Sequence, residues 1–159
     1  MADGRSALAR RLRCSIVLAT AVLLAGCSEL GGAPPQPTPL DFPGLAGQLA
    51  LEGLIVAQPR SGDSGCSNPT LTPTAISFDL SGLGVTNPIR ARVFMFADRA
   101  AYDRRRLDVD TCTAAWATNP GAIEFIDAPP FVLVIQGPIP SDFKAALTRA
   151  LTASAGGTN

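Results

Sequence analysis

The apolar run Ile16-Val17-Leu18-Ala19-Thr20-Ala21-Val22-Leu23-Leu24-Ala25 constrains this chain more than any other feature of its sequence. Arg5, Arg10, Arg11 and Arg13 precede it against one acid, Asp3, and Gly26-Cys27 closes it. A cationic n-region, a short apolar h-region and small residues at its end are the three parts of a secretory signal peptide. The run is much shorter than the roughly 20 apolar residues that span a bilayer. A buried core helix of the same length would leave the flanking arginines unexplained. Residues 1–26 are therefore expected to direct export and to be removed, so the fold must be built from residues 27–159.

The end of that run is more specific. Leu24-Ala25-Gly26-Cys27 resembles the lipobox of bacterial lipoproteins, matching at all four positions and at the right distance from the arginines. The resemblance covers residues 1–27 and concerns location only. It implies cleavage before Cys27, a thioether-linked diacylglycerol on its sulfur, and usually a third acyl chain on the new amino terminus. Two or more chains anchor stably where one would be marginal. The implied location is the extracytoplasmic face of the cell membrane. Ser28, a non-aspartate, implies passage to an outer membrane where the organism has one.

Removing the leader splits the charge. The whole chain has 13 basic and 13 acidic residues, and cleavage leaves nine basic and twelve acidic. An acidic mature domain is repelled by anionic headgroups, so the partner that tethers it is membrane lipid through acylated Cys27. The same balance lacks the basic stripe that nucleic acid requires. There is no histidine. This excludes Ser-His-Asp and Cys-His nucleophile pairs and every imidazole metal ligand. No catalytic residue, cofactor or metal is expected.

Residues 27–40 carry the anchor cysteine and then Glu29-Leu30-Gly31-Gly32-Ala33-Pro34-Pro35-Gln36-Pro37-Thr38-Pro39, which offers almost nothing to bury. It reads as a solvated stalk, reaching roughly 30–40 Å at about 3.1 Å per residue when extended. A Pro-rich recognition ligand is the alternative.

Regular patterning begins at Asp41, which is placed to cap a helix. Phe42, Leu45, Ala46, Leu49 and Ala50 recur at helical spacing, and Gly53 ends it. Leu54–Ala57 reads as a strand stopped by Pro59, and residues 60–73 read as a loop. Thr74–Leu80 alternates, with Ile76, Phe78 and Leu80 inward and Ser77 and Asp79 outward, as in a half-buried strand. A turn through Gly82, Gly84 and Asn87-Pro88 leads to a strand over Ile89–Phe96. Asp98 caps a charged helix holding Tyr102 and the pairs Arg99/Asp103 and Arg104/Asp108. Ile123–Ile126 and Phe131–Ile135 are strands joined at Ala128-Pro129-Pro130, the second apolar on both faces and so central. Ser141 opens a last helix with Phe143, Ala146, Leu147, Ala150 and Leu151 inward, ended by Gly156-Gly157. The order α-β-β-β-α-β-β-α predicts one α+β domain over 41–153. It should have a mostly antiparallel sheet of about five strands, two to three helices packed on it, and a flexible tail over 154–159.

Cys66 and Cys112 are the only cysteines outside the export segment, which holds Cys14 and Cys27. In an oxidising compartment two lone cysteines most simply pair, here tying the loop after the first strand to the segment after the second helix. Two buried or free thiols are the alternative. With no histidine, two cysteines cannot fill a structural zinc site.

Several motifs suggest chemistry and lack its parts. Gly62-Asp63-Ser64-Gly65 is similar to the surroundings of a protease serine, but no histidine base exists and the one lysine, Lys144, lies on a helix face. Asp108-Val109-Asp110-Thr111 is similar to a phosphatase signature, but it follows Arg104-Arg105-Arg106 instead of an apolar strand and reads as a solvated helix end. Gly82-Leu83-Gly84 lacks the third glycine of a nucleotide loop. Arg104–Arg106 spread around the helix and form no single phosphate clamp. Glu124, Asp127 and Asp79 are the carboxylates that strand pairing could bring together.

The pattern Gly65-Cys66, Phe96-x-Asp98-Arg99-x-Ala101-Tyr102, Asp110-x-Cys112, Pro130-Phe131 and Gly137-Pro138 before a final helix resembles small extracytoplasmic lipoproteins of unassigned function from GC-rich bacteria. That resemblance implies a stalk, an α+β domain and a C-terminal helix, and no activity. The expectation is a lipid-anchored accessory or protein-interaction module, with an envelope protein as its possible partner. A small-molecule-binding lipoprotein and a carboxylate hydrolase are the alternatives. A concave pocket lined by Trp116, Tyr102 or phenylalanines would favour a ligand. An exposed apolar patch would favour a protein.

Overall fold

A computed structural model describes residues 41–156. The segment read as a signal peptide, with Leu24, Ala25, Gly26 and Cys27, and the one read as a stalk lie outside the described residues. Eight main elements occur in the expected order: α1 (Phe42–Leu51), β1 (Leu54–Ser61), β2 (Ala75–Gly82), β3 (Val85–Met95), α2 (Arg99–Trp116), β4 (Ile123–Ala128), β5 (Phe131–Gln136) and α3 (Ser141–Gly156). The strands form one sheet in the order β1-β2-β3-β5-β4, every neighbouring pair antiparallel. The fold is α+β. No helix among the described residues is long and apolar enough to cross a membrane.

The helices cover both faces of the sheet. On one, α1 contributes Leu45 and Leu49 and α3 contributes Phe143, Ala146, Leu147, Ala150 and Leu151, packed on Phe78, Leu80, Val93, Leu133 and Ile135. On the other, Tyr102, Val109 and Cys112 of α2 pack with Leu71 against Phe94, Val132 and Val134. Successive strand side chains point to opposite faces, so β5 feeds Phe131, Leu133 and Ile135 to one core and Val132 and Val134 to the other. This is why Phe131–Ile135 has no polar face. It lies between β3 and β4, as its pattern predicts.

The caps form where the sequence places them. Asp41 Oδ1 accepts from the Gly44 N–H at 2.6 Å and Asp98 Oδ1 from the Ala101 N–H at 2.6 Å. Each satisfies one of the orphan donors of a helix start.

Several boundaries differ from the sequence reading. β1 does not stop before Pro59 but runs to Ser61, because its register to β2 breaks between Ala57 and Arg60. Proline is tolerated at a bulge on an edge strand, where its missing N–H is not needed. The turn expected through Gly82, Gly84 and Asn87-Pro88 closes earlier, at Leu83-Gly84, both at positive φ (48° and 84°). That conformation matches the twist of a two-residue hairpin. Thr86–Pro88 are carried as extra residues within β3, between the pairs Gly82↔Val85 and Leu80↔Ile89.

β2 is not half-buried. Ala75 and Ser77 are fully buried on the α2 face because the loop after β1 folds back over this end of the sheet. α2 continues through Cys112 to Trp116, so that cysteine lies within the helix and not after it. Its later turns bury Val109, Cys112 and Thr113 on one stripe, which extends the amphipathic face. α3 likewise reaches Gly156, with Ser154 buried and its hydroxyl donating to the Ala150 carbonyl at 2.9 Å. The tail expected over 154–159 is thus helical in its first three residues, and residues 157–159 lie outside the described part.

Candidate functional site

Cys66 and Cys112 stand at disulfide distance, with sulfurs 2.01 Å and Cα atoms 5.3 Å apart. The pair fastens the irregular segment after β1 to the buried stripe of α2. Beside it, Asp63 accepts from the buried Ser77 hydroxyl at 2.7 Å and faces Arg92 at 3.4 Å. The Ser77 hydrogen bond and the Arg92 guanidinium hold its carboxyl below the usual carboxylate range, against the opposing pull of partial burial. Arg92 in turn lies 4.4 Å from the Trp116 ring centroid. Gly65 covers this stack: a Cβ there would fall 2.5 Å from Trp116 Cδ1 and 2.8 Å from Arg92 Nε, and its φ is +80°. Only glycine fits such an approach at such a dihedral.

The serine of Gly62-Asp63-Ser64-Gly65 has no base. Ser64 is 2% exposed and its hydroxyl donates to the Cys66 carbonyl at 3.0 Å, closing a local turn. Asp108, Val109, Asp110 and Thr111 lie in the interior of α2, not at its end. Val109 belongs to the core, and Thr111 donates back to the Leu107 carbonyl.

The charges of α2 resolve differently from their expected pairing. Arg99 meets Asp103, but Arg105, not Arg104, meets Asp108, at i,i+3. Arg106 reaches off the helix: Nε and Nη2 donate to Asp127 of β4 at 2.7 and 3.2 Å, and Nη1 donates to Asp110. Burial pulls the Arg106 pKa down, but the hydrogen bonds and charges of Asp127 and Asp110 outweigh it and hold the group above its ordinary value. The Tyr102 hydroxyl also donates to Asp127, at 2.9 Å.

Glu124, Asp127 and Asp79 are not brought together. Glu124 pairs with Lys144 of α3, Asp127 with Arg106 and Asp79 with Arg90. Glu124 and Asp127 are three residues apart on one strand, so they point to opposite faces. Each carboxylate serves as half of an ion pair between elements. Among the described residues, no three metal-ligating side chains stand close enough to hold an ion.

Burial and the Asp127 carboxylate both push the Tyr102 phenol above the ordinary tyrosine value. As the chain has one tyrosine, the 295 nm absorbance titration reports this group alone. The expected midpoint lies above that of the urea-unfolded chain, and Asp127→Asn should bring it down. With the folded pKa raised, the associated stability is complete below the unfolded pKa and is lost as pH rises through the folded one. A native midpoint at or below the unfolded one would contradict the Tyr102–Asp127 contact.

Three surface features remain. A cleft of about 290 Å³ lies over the disulfide, bordered by Ser67, Asn68, Asp108 and Thr111. Three of its polar residues are engaged internally: Asn68 Oδ1 accepts from Thr70, Asp108 from Arg105, and the Thr111 hydroxyl donates to the Leu107 carbonyl. A second cleft, of about 170 Å³, runs between the last turns of α2 and β4, with Ala114, Ala117, Pro120, Ile123 and Phe125 as walls and Asp110 at its rim. Neither Trp116 nor Tyr102 lines it. The third feature is a set of exposed apolar side chains around Gly53. Leu51, Ile55 and Leu83 are 79%, 61% and 45% exposed. Leu51 and Ile55 flank Gly53 by two residues on either side, and Leu83 Cδ2 would stand 3.2 Å from a Cβ on it.

Nothing in the linear sequence marks this patch. Leu54–Ala57 is apolar throughout, and strand alternation turns one side chain in two away from a core. Which residues those are depends on register. No protein-family model, curated protein or solved structure matches this chain.

Proposed function

We propose that the chain is a lipid-anchored extracytoplasmic protein whose folded domain docks another envelope protein through the patch around Gly53. The observation that carries this reading is the exposed Ile55 on the regular half of the edge strand β1, with Leu51 and Leu83 also exposed beside the Gly53 turn. Single exposed leucines are ordinary, whereas clustered ones mark contact surfaces. Leu107, equally exposed on α2, is such a single residue.

β1 adds a second element of recognition. Among the described residues it pairs only with β2, so the main-chain groups of its outer side face away from the sheet. Edge strands are commonly blunted by bulges and prolines. Here the bulge and Pro59 occupy the far half, while Leu54–Ala57 stays regular next to the patch. A partner strand or apolar loop laid along that half would gain hydrogen bonds and bury Ile55 together. Tethering by acylated Cys27 confines the encounter to the membrane surface, which raises the effective concentration of a weak partner. The neutralised carboxylates and the missing histidine support a reading without catalysis.

The test uses the complete protein, recovered from its own membrane, beside Ile55→Arg and Cys27→Ala. A specific protein should accompany the native chain. Ile55→Arg should lower its recovery at least tenfold (about 1.4 kcal/mol) while the unfolding transition moves little, because residue 55 is exposed. Cys27→Ala should take up no acyl label and keep its leader. Equal recovery with Ile55→Arg would refute the patch, and normal processing of Cys27→Ala would refute the anchor.

A further inference from the structure

The geometry points to a second site, independent of the patch: the cleft between α2 and β4 takes a small organic cation, an ammonium group borne on a ring or branched hydrocarbon of about six to eight carbons. Its volume, about 170 Å³, sets the size of the guest. An apolar cavity of about 150 Å³ is known to accept benzene. The walls are side chains of Ala114, Ala117, Pro120, Ile123 and Phe125, none of which offers a hydrogen bond. Thr113, also on the lining, spends its hydroxyl on the Val109 carbonyl at 2.8 Å. The interior therefore selects hydrocarbon.

The rim selects charge, and three observations agree on its sign. Asp110 borders the cleft and gives one oxygen, Oδ1, to Arg106; Oδ2 has no hydrogen-bond partner among the described residues. Arg106 is also held by Asp127, so the trio of one guanidinium and two carboxylates carries one net negative charge. The cleft lies at the C-terminal end of α2, and the last turn of that helix contains no basic residue. Its free carbonyls form the negative end of an 18-residue helix, a place that stabilises cations. Phe125 already receives one cation on its ring: the Arg106 guanidinium carbon sits 4.9 Å from the centroid. No basic side chain lines the cleft itself. An anionic guest would meet the net negative charge of the trio, and a neutral one would forgo Asp110 Oδ2.

The test titrates the full-length, isotope-labelled chain in mild detergent with benzylammonium, benzyl alcohol and benzoate, which share a ring and differ in charge. Empty micelles serve as the partition control. Benzylammonium should give saturable shifts at the Ala114, Ile123 and Phe125 amides. Its affinity should exceed that of benzyl alcohol about threefold and that of benzoate at least tenfold. Asp110→Asn should bring benzylammonium down to the level of the alcohol. Ala114→Trp, at an exposed helix position, should abolish all three responses while the Tyr102 phenol keeps its midpoint. Absence of a saturable response, equal binding of benzoate, or full binding in Ala114→Trp would each overturn the site. Ile55→Arg should leave these titrations unchanged, so failure of the cleft and failure of the docking patch read out separately.

Discussion

Replacing Cys66 and Cys112 together by alanine should lower the free energy of unfolding by about 4 kcal/mol. The 45 residues between the cysteines include β2, β3 and most of α2. Opening a loop of that length returns to the unfolded chain the freedom that the crosslink withholds. A domain of this size has a total stability of about 5–15 kcal/mol, so the loss is a large fraction. Its location increases the consequence. The segment after β1 is mostly irregular, and only Leu71 inserts deeply from it into the α2-side core. Without the bond, that segment keeps Asp63 on Ser77 and Arg92, the Gly62 N–H on the Ala75 carbonyl, Gly65 against Trp116 and Leu71 in the core. In urea the midpoint should fall by about 2 M for a slope of about 2 kcal/mol/M. Equal midpoints for the native and double-alanine chains, or two titratable thiols in an unfolded, unreduced domain free of Cys14 and Cys27, would show that no bond forms.

Phe78→Ala should cost about 3–5 kcal/mol, the usual loss for a buried phenylalanine. Phe78 is fully buried at the centre of the core beneath α1 and α3, with its ring 5.2 Å from that of Phe42. The substitution removes a ring that α1 packs on and leaves a void that a sheet cannot easily close. Leu107→Ala, at a side chain 78% exposed, is the matched control and should stay within about 0.5 kcal/mol. Trp116, the one tryptophan, stands on the opposite face of the sheet. If the sheet couples the two cores, its fluorescence and the far-ultraviolet signal must shift together in Phe78→Ala. Separate transitions would mean that the α2 side unfolds on its own.

The elements themselves were legible because each left a local signature. Asp41 and Asp98 mark their helices as caps, Phe143 to Leu151 repeats at helical spacing, and Phe131–Ile135 lacks any polar position. The disulfide partners were legible by elimination. What escaped was whatever depends on the neighbour across space. Pro59 stops a strand in isolation but is accommodated at a bulge on an edge. Ser77 reads as solvent-facing by alternation but is buried because a distant loop carries Asp63 to it. Arg106 reads as one of three surface arginines but leaves its helix for Asp127 on β4.

The candidate sites divide the same way. The expected anchor motif, Leu24-Ala25-Gly26-Cys27, is legible in the sequence because it is a run of consecutive residues. The Gly53 patch and the α2–β4 cleft have no linear signature. Their residues are ordinary apolar side chains, brought near one another by strand pairing and by the packing of α2 on the sheet. The sequence alone thus determined the order of elements, their caps, the missing imidazole chemistry and the one possible pairing of cysteines beyond residue 27. Only the tertiary structure decided which faces are covered, which carboxylates are spent in ion pairs and which apolar side chains remain exposed. The physical reason is range: backbone propensity and periodicity act over a few residues, whereas burial and charge pairing are settled between elements up to 97 residues apart, as Arg149 and Glu52 are.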